Sequence, residues 1–281
     1  MLREVELSRI TQVVRDLCIE ANLKLSPDME KAVREAAGKE RNPLGVQILA
    51  RLGENLDIAG REEIPICQDT GMAVVFVELG QDVHLTGGDL TDAVNEGVRR
   101  GYTEGYLRKS VVKDPLRREN TGDNTPAVLH VKIVQGENVR ITVAPKGFGS
   151  ENMSRLFMLK PADGEDGVME AVVGAVRDAG PNACPPVVVG VGIGGTVEKC
   201  TLLAKEALLV PTGRRSEKEH IARMETELLA RINALGIGPA GLGGDVTALD
   251  LHIKTFPTHI AGLPVAVNMC CHVNRHASAV V

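Results

Sequence analysis

Ile64-Pro65-Ile66-Cys67-Gln68-Asp69-Thr70-Gly71 runs directly into the apolar stretch Met72-Ala73-Val74-Val75-Phe76-Val77. An apolar run bounded by turn residues predicts a buried strand, which places Cys67 on a loop at the mouth of a sheet. Loops held by a rigid scaffold are where chemistry is usually mounted. A cysteine that only fills core space needs no polar company. Cys67 instead precedes an amide, a carboxylate, a hydroxyl and a glycine, which marks it as a candidate functional thiol.

Upstream, residues 2 to 24 place Ile10, Val14, Leu17 and Ala21 on one face, the pattern of a single amphipathic helix with Cys18 beside its apolar stripe. Ser26-Pro27-Asp28 and Asn42-Pro43 each supply a cap followed by proline at the first helical position, so two more helices are expected there. Downstream, Gly87-Gly88-Asp89 opens a helix carrying Val94 and Val98. The polar segment from Tyr106 to Asn124 offers little core material. Leu129, Val131 and Ile133, then Val139, Ile141 and Val143, alternate with polar residues around Gly136-Glu137-Asn138, which predicts a β-hairpin.

Lys146-Gly147-Phe148-Gly149-Ser150-Glu151-Asn152 is a glycine loop able to meet a ligand with backbone N–H groups, or simply to turn the chain. A helix from about Gly167 to Ala179 then leads to Cys184-Pro185-Pro186 and the strand Val187-Val188-Val189. Gly190-Val191-Gly192-Ile193-Gly194-Gly195 matches G-x-G-x-x-G after a strand and before a helix, the setting of a dinucleotide-binding oxidoreductase. No second strand ending in Asp or Glu follows at the required distance, where Leu208 to Arg215 stand instead, so tight packing of helix on strand is the competing explanation. Ser216-Glu217-Lys218-Glu219 has the form of a capping box for a helix ending at Gly236. Strands around 246–253 and 263–269 complete the pattern, and Cys270-Cys271-His272 follows the second. The fold expected is mixed α/β, one domain over 1–281: N-terminal helices, then mixed sheets flanked by helices, with the site on loops at strand ends.

Bulk properties bound the function. With 281 residues, 43% hydrophobic content and a formal net charge of −5, the chain can bury a sizeable core and has no block of like charge suited to nucleic acid or an anionic membrane. Four phenylalanines, two tyrosines and no tryptophan leave little for stacking on bases. The N-terminus lacks an apolar signal region and no stretch approaches the roughly 18 apolar residues of a membrane span, so a cytoplasmic protein is expected. Six cysteines without a secretory signal predict thiols rather than a disulfide framework.

Three of the cysteine positions share one setting, at 67, 184 and the 270/271 pair, each beside a strand end amid proline, glycine or polar neighbours. The spacing is too long for a local zinc motif. Converging thiolates would favour zinc or iron–sulfur. Three thiolates on a four-iron cluster leave one iron for a substrate, whereas four ligands make an electron carrier; a structural zinc is the third possibility.

Together with Leu107-Arg108-Lys109-Ser110, Asn120-Thr121-Gly122, Lys146 to Asn152, Ala183-Cys184-Pro185-Pro186 and Pro264 to Cys271, the Pro65 to Gly71 segment resembles the class I, iron–sulfur fumarate hydratases, in family order from about residue 40 to the end. The chain is similar to their α subunit or N-terminal domain, with the L(+)-tartrate dehydratase α subunit a close relative. The resemblance implies a [4Fe–4S] cluster held by Cys67, Cys184 and Cys271, with Cys270 structural. It also implies a dicarboxylate lined by Gln68, Asp69, Arg108, the backbone of Gly149 and His259, with Asp69 and His259 as catalytic candidates. The reaction implied is reversible hydration of fumarate to (S)-malate, with tartrate dehydration as the alternative. The family's C-terminal half, which carries the catalytic base, has no counterpart here; a β subunit is therefore expected to supply it, in an α2β2-type assembly.

Overall fold

The computed structural model describes residues 2–281. The elements in the N-terminal half are β1 (Arg3–Glu6), α1 (Leu7–Leu23), α2 (Pro27–Lys39), α3 (Pro43–Glu62), β2 (Met72–Gly80), β3 (Val83–Thr86) and α4 (Leu90–Glu104). Then come β4 (Val128–Val134), β5 (Val139–Lys146), the single turn α5 (Phe148–Glu151), β6 (Arg155–Leu159) and α6 (Gly164–Ala179). The chain closes with β7 (Val187–Gly194), α7 (Val197–Ala207), α8 (Glu219–Asn233), β8 (Ala248–Phe256), β9 (Leu263–Cys270) and β10 (Ala277–Val280). The mixed α/β class expected from the sequence is the one observed. No helix among the described residues is long and apolar enough to cross a membrane.

The chain divides into two compact units. The first takes in the N-terminal stretch up to Ser26, Leu56–Phe148 and Arg275–Val281; the second comprises Pro27–Asn55 and Gly149–Asn274. The first unit is built on the sheet β10-β5-β2-β4. Ile10, Val14 and Leu17 of α1 and Val94, Val98 and Tyr102 of α4 bury against Val75, Val77, Ile141 and Val143 of that sheet. β2 earns its central place by composition, since four of its first six residues are fully or nearly fully buried.

Three sequence expectations fail in this unit, each for a physical reason. Residues 3–6 form a strand rather than the first turn of α1, because they pair in parallel with Val83–Thr86 and bury Val5. The hairpin does not form: β2 lies between its two arms, parallel to β4 and antiparallel to β5. The Gly136–Asn138 turn still joins them, but it wraps the end of β2, with Gly80 N–H donating to Asn138 O at 2.9 Å and Asp82 N–H to Gly136 O at 3.0 Å. β4 is thus an edge strand, and its Val131 and Ile133 stay exposed. Finally, β10 completes the sheet against β5, a pairing too short for the sequence to announce.

The second unit holds the sheet β6-β9-β7-β8, with β7 parallel to β8 and antiparallel to β9. Its core joins Val172 and Val176 of α6, Leu228 and Ile232 of α8, and Val189, Leu251, Val267 and Met269 of the sheet. The G-x-G-x-x-G segment resolves here. Gly190 and Gly192 lie inside β7, and a methyl group on either would overlap the backbone carbonyls of Ala204 and Cys200 in α7. The glycines let a helix sit directly on a strand, the packing role that the sequence set against dinucleotide binding. α8 begins at Glu219, not at Ser216: Ser216 Oγ accepts the Lys218 N–H at 3.3 Å instead of capping the helix.

Because α7 meets β7 through backbone, Gly192→Ala is expected to destabilise the chain by about 1–3 kcal/mol, the range for overpacking a filled interior. A denaturant or thermal melt checks this, and an unchanged midpoint would show that α7 stands further off than described.

Candidate functional site

The Cys67 loop belongs to the first unit. Its entry is fixed where Ile66 N–H donates to Asn22 O at 2.9 Å, Asn22 itself being fully buried on α1. Its exit is fixed more tightly. Gly71 sits at φ +76°, and a Cβ there would stand 2.7 Å from the Lys146 backbone, so the loop turns into β2 flush against β5. The buried Tyr102 hydroxyl lies 2.8 Å from Thr70 O and 3.1 Å from Gly71 O, and burial pushes its acidity well below that of an ordinary phenol. Asn124, with no exposed surface, donates to Gly71 O at 3.1 Å and accepts from Ser110 N–H at 2.7 Å.

These anchors bring the candidate residues of the first unit together. Thr70 Oγ1 donates to Arg108 O at 3.1 Å and accepts Arg108 N–H at 2.9 Å, so the Leu107 to Ser110 segment runs beside the loop with Arg108 exposed. Both oxygens of Asp69 are engaged, one by Gly71 N–H at 3.0 Å and the other by Phe148 N–H at 2.9 Å. Asp69 therefore shapes the loop. Cys67 stays half-exposed, its Sγ 3.4 Å from Gln68 Oε1, and Gln68 is exposed.

In the second unit, Cys184 follows the helical turn Gly180–Ala183, where its N–H donates to Pro181 O at 3.0 Å and its own φ of 56° lies in the left-handed region. A non-glycine residue is uncommon there, and such positions cluster at functional sites. Val188 pairs with Cys270 across β7 and β9, which sets Cys271 at the same sheet end as Cys184. His272 Nδ1 lies 3.4 Å from Cys184 O. Gly149 is exposed nearby, and a Cβ on it would stand 4.0 Å from Asn182 O.

His259 is placed elsewhere. It precedes β9, whereas Cys271 follows it, and eight strand residues span about 25 Å at 3.3 Å each. It lines a cavity of about 480 Å³ with His220, Met224, Ile193 and Leu263, its Nδ1 accepting Ala261 N–H at 3.1 Å. The second unit does not bring His259 to its two candidate thiols.

The cysteines sort by environment. Cys18, Cys200 and Cys270 are buried, whereas Cys67 and Cys271 are half-exposed and Cys184 is exposed. Burial pushes the Cys18 thiol up to about 12 and the Cys200 thiol up to about 11. The three accessible thiols are the three on loops at strand ends. Among the described residues no three His, Cys, Asp or Glu side chains are grouped to hold a metal ion. The donor chemistry would still suit an iron–sulfur cluster, which is held by cysteine thiolates.

The sequence profile of the fumarate hydratase (Fumerase) family matches residues 11–280. The chain belongs to that family. Membership of the fumarate hydratase family makes it a hydro-lyase relative, in line with the resemblance carried by the cysteine segments. A Methanocaldococcus jannaschii protein provisionally named L(+)-tartrate dehydratase subunit alpha is 41% identical over 275 residues, 96% of each chain. The L(+)-tartrate dehydratase subunit alpha of Escherichia coli O157:H7 is 29% identical over 282 residues, covering 99% of this chain and 93% of its own. The same figures hold for the protein of that name from E. coli K12.

Three residues that hold the site escaped the sequence. Tyr102 and Asn124 carry no local motif, although an asparagine in a polar segment is the residue type that can bridge two backbone turns. Arg275, which donates to Asp69 O from four residues beyond Cys271, gave no signal at all.

Alkylation of the reduced, metal-free chain with iodoacetamide should label Cys67, Cys184 and Cys271 at least about tenfold faster than Cys18 and Cys200, because the thiolate is the nucleophile and burial suppresses it. Peptide mass spectrometry reads the order, and equal labelling of Cys200 and Cys184 would contradict it.

Proposed function

We propose that this chain is the α subunit of a [4Fe–4S]-dependent hydro-lyase that reversibly hydrates fumarate to (S)-malate. The observation that carries the proposal is the division of the cysteines: the thiols at the mouths of strands are accessible, and the others are sealed in core. Cys67, Cys184 and Cys271 would hold the cluster. When bound, it supplies a Lewis-acidic iron that makes the substrate hydroxyl a better leaving group.

The chain's own residues position the diacid. The exposed Arg108 presents a planar fork of donors matched to a carboxylate. Gln68, exposed beside Cys67, adds an amide able to donate and accept. The exposed Gly149 offers a backbone N–H without a side chain to obstruct it. Asp69 holds its own loop in place through the Gly71 and Phe148 N–H groups.

The relatives named as subunits alpha support a partner β chain. We assign to it the base that removes the C3 proton, in an assembly of the α2β2 type. On this reading residues 1–281 work as one functional domain without nicotinamide or flavin, in the cytoplasm. A second reading, L(+)-tartrate dehydratase α subunit, is favoured by the names of those same relatives. Fumarate and tartrate chemistry differ by one hydroxyl, and the Asn120-Thr121-Gly122 and Lys146 to Ser150 segments resemble the fumarase side more closely.

The deciding experiment reconstitutes the chain with iron and sulfide under anaerobic conditions, adds the β chain, and assays malate and L-tartrate dehydration. Turnover of malate with little of tartrate is expected, and the reverse would favour the second reading. Cys184→Ser should lower turnover by more than about 100-fold, since even outer-shell losses at metal sites cost about 10–100-fold. Full activity of that variant would sink the proposal.

A further inference from the structure

Arg275 is 4% exposed. Its Nη2 donates to the main-chain oxygen of Asp69, and its Nε and Nη1 are buried without a hydrogen-bond partner. No acidic side chain pairs with it among the described residues. Every other feature of the loop is satisfied: Asp69 by two N–H groups, Thr70 by Arg108, and Gly71 by Asn124. A buried guanidinium with no ion pair and two idle nitrogens is costly, because desolvation is compensated only by a paired anion or by hydrogen bonds. The acidic side chain of the adjoining loop, Asp69, is turned to the Gly71 and Phe148 N–H groups and forms no ion pair with the guanidinium. The charge is thus held in reserve against the loop, and it becomes favourable when negative charge arrives there.

The geometry points to Arg275 as a positioning residue for anionic substrate. It fixes the Asp69 carbonyl, and with it Gln68 and Cys67, and its unpaired charge favours a dianion bound on that loop. This inference rests on the diacid chemistry proposed above. Arg275 acts through the loop and takes no proton, so its contribution belongs in substrate affinity. An anchor that served folding alone would have no need of charge, because a neutral donor reaches a carbonyl equally well.

The test compares Arg275→Gln, which keeps a donor and removes the charge, with Arg275→Lys, which keeps the charge. Malonate, a dianion that cannot be dehydrated, is titrated calorimetrically into the full chain. The KM and kcat of the reconstituted complex with its β chain are measured in parallel. Arg275→Gln should weaken malonate binding and raise KM by about tenfold or more with kcat held within about threefold, the signature of lost binding rather than lost chemistry. Arg275→Lys should stay within about threefold of wild type. Wild-type affinity in the Gln variant, a Lys variant as weak as the Gln variant, or no malonate binding by the wild type would overturn the assignment. If Arg275→Gln does not fold, Arg275→Met replaces it; failure of both while Arg275→Lys folds marks a structural anchor and likewise overturns it. Malonate binding that depends on Arg275, in a complex that turns over neither malate nor tartrate, would sink the hydro-lyase proposal and leave this one standing.

Discussion

The Gly71 backbone presses against that of Lys146 closely enough to exclude a side chain, and the geometry of the first unit's site follows from that contact. β2 must pair with β5 from its first residue, so the chain arriving from α3 has to make its whole turn between Ile64 and Gly71. A turn that short exposes main-chain carbonyls with no strand partner. Unpaired buried carbonyls are expensive, and the chain satisfies them from outside the turn. Tyr102, Asn124 and Arg275 do this from three separate segments. The loop is rigid because several distant elements agree on where it lies.

The second unit reaches a comparable end by a different route. Cys184 is held in the left-handed region between a helical turn and two prolines, and Pro185 O accepts Ala240 N–H at 2.8 Å. The close seat of α7 on β7 keeps seven of the strand's eight residues buried. The antiparallel run of β9 then returns Cys271 to the end from which β7 set out. Two thiols 87 residues apart in the sequence come to the same end of one sheet through strand direction.

Much of this was legible in the sequence, and the failures share a cause. Proline after a cap correctly placed the starts of α2 and α3, Asp89 correctly opened α4, and the apolar runs marked β2, β7 and β9. Alternation also found β4 and β5, but periodicity says which face a residue takes and nothing about which strand lies alongside. The insertion of β2 between them was therefore invisible. The four-residue strands β1 and β10 failed for a related reason, being too short to show a period and stabilised by partners about 80 and 137 positions away. At the site, residues in a dense local motif were readable, whereas those that hold the motif from a distance were not. His259 shows the converse: a family position was legible, but its place at the far end of the sheet was not.

The scarcity of aromatic side chains has an optical consequence. The chain contains no tryptophan and two tyrosines. Tyr106 lies 92% open to solvent, while the Tyr102 phenol is clamped on the carbonyls of Thr70 and Gly71. Near-ultraviolet dichroism and the shielded fraction of the emission therefore arise largely from one ring, and that ring leans on the turn bearing Cys67. The molecule carries its own spectroscopic gauge of whether that turn is in place.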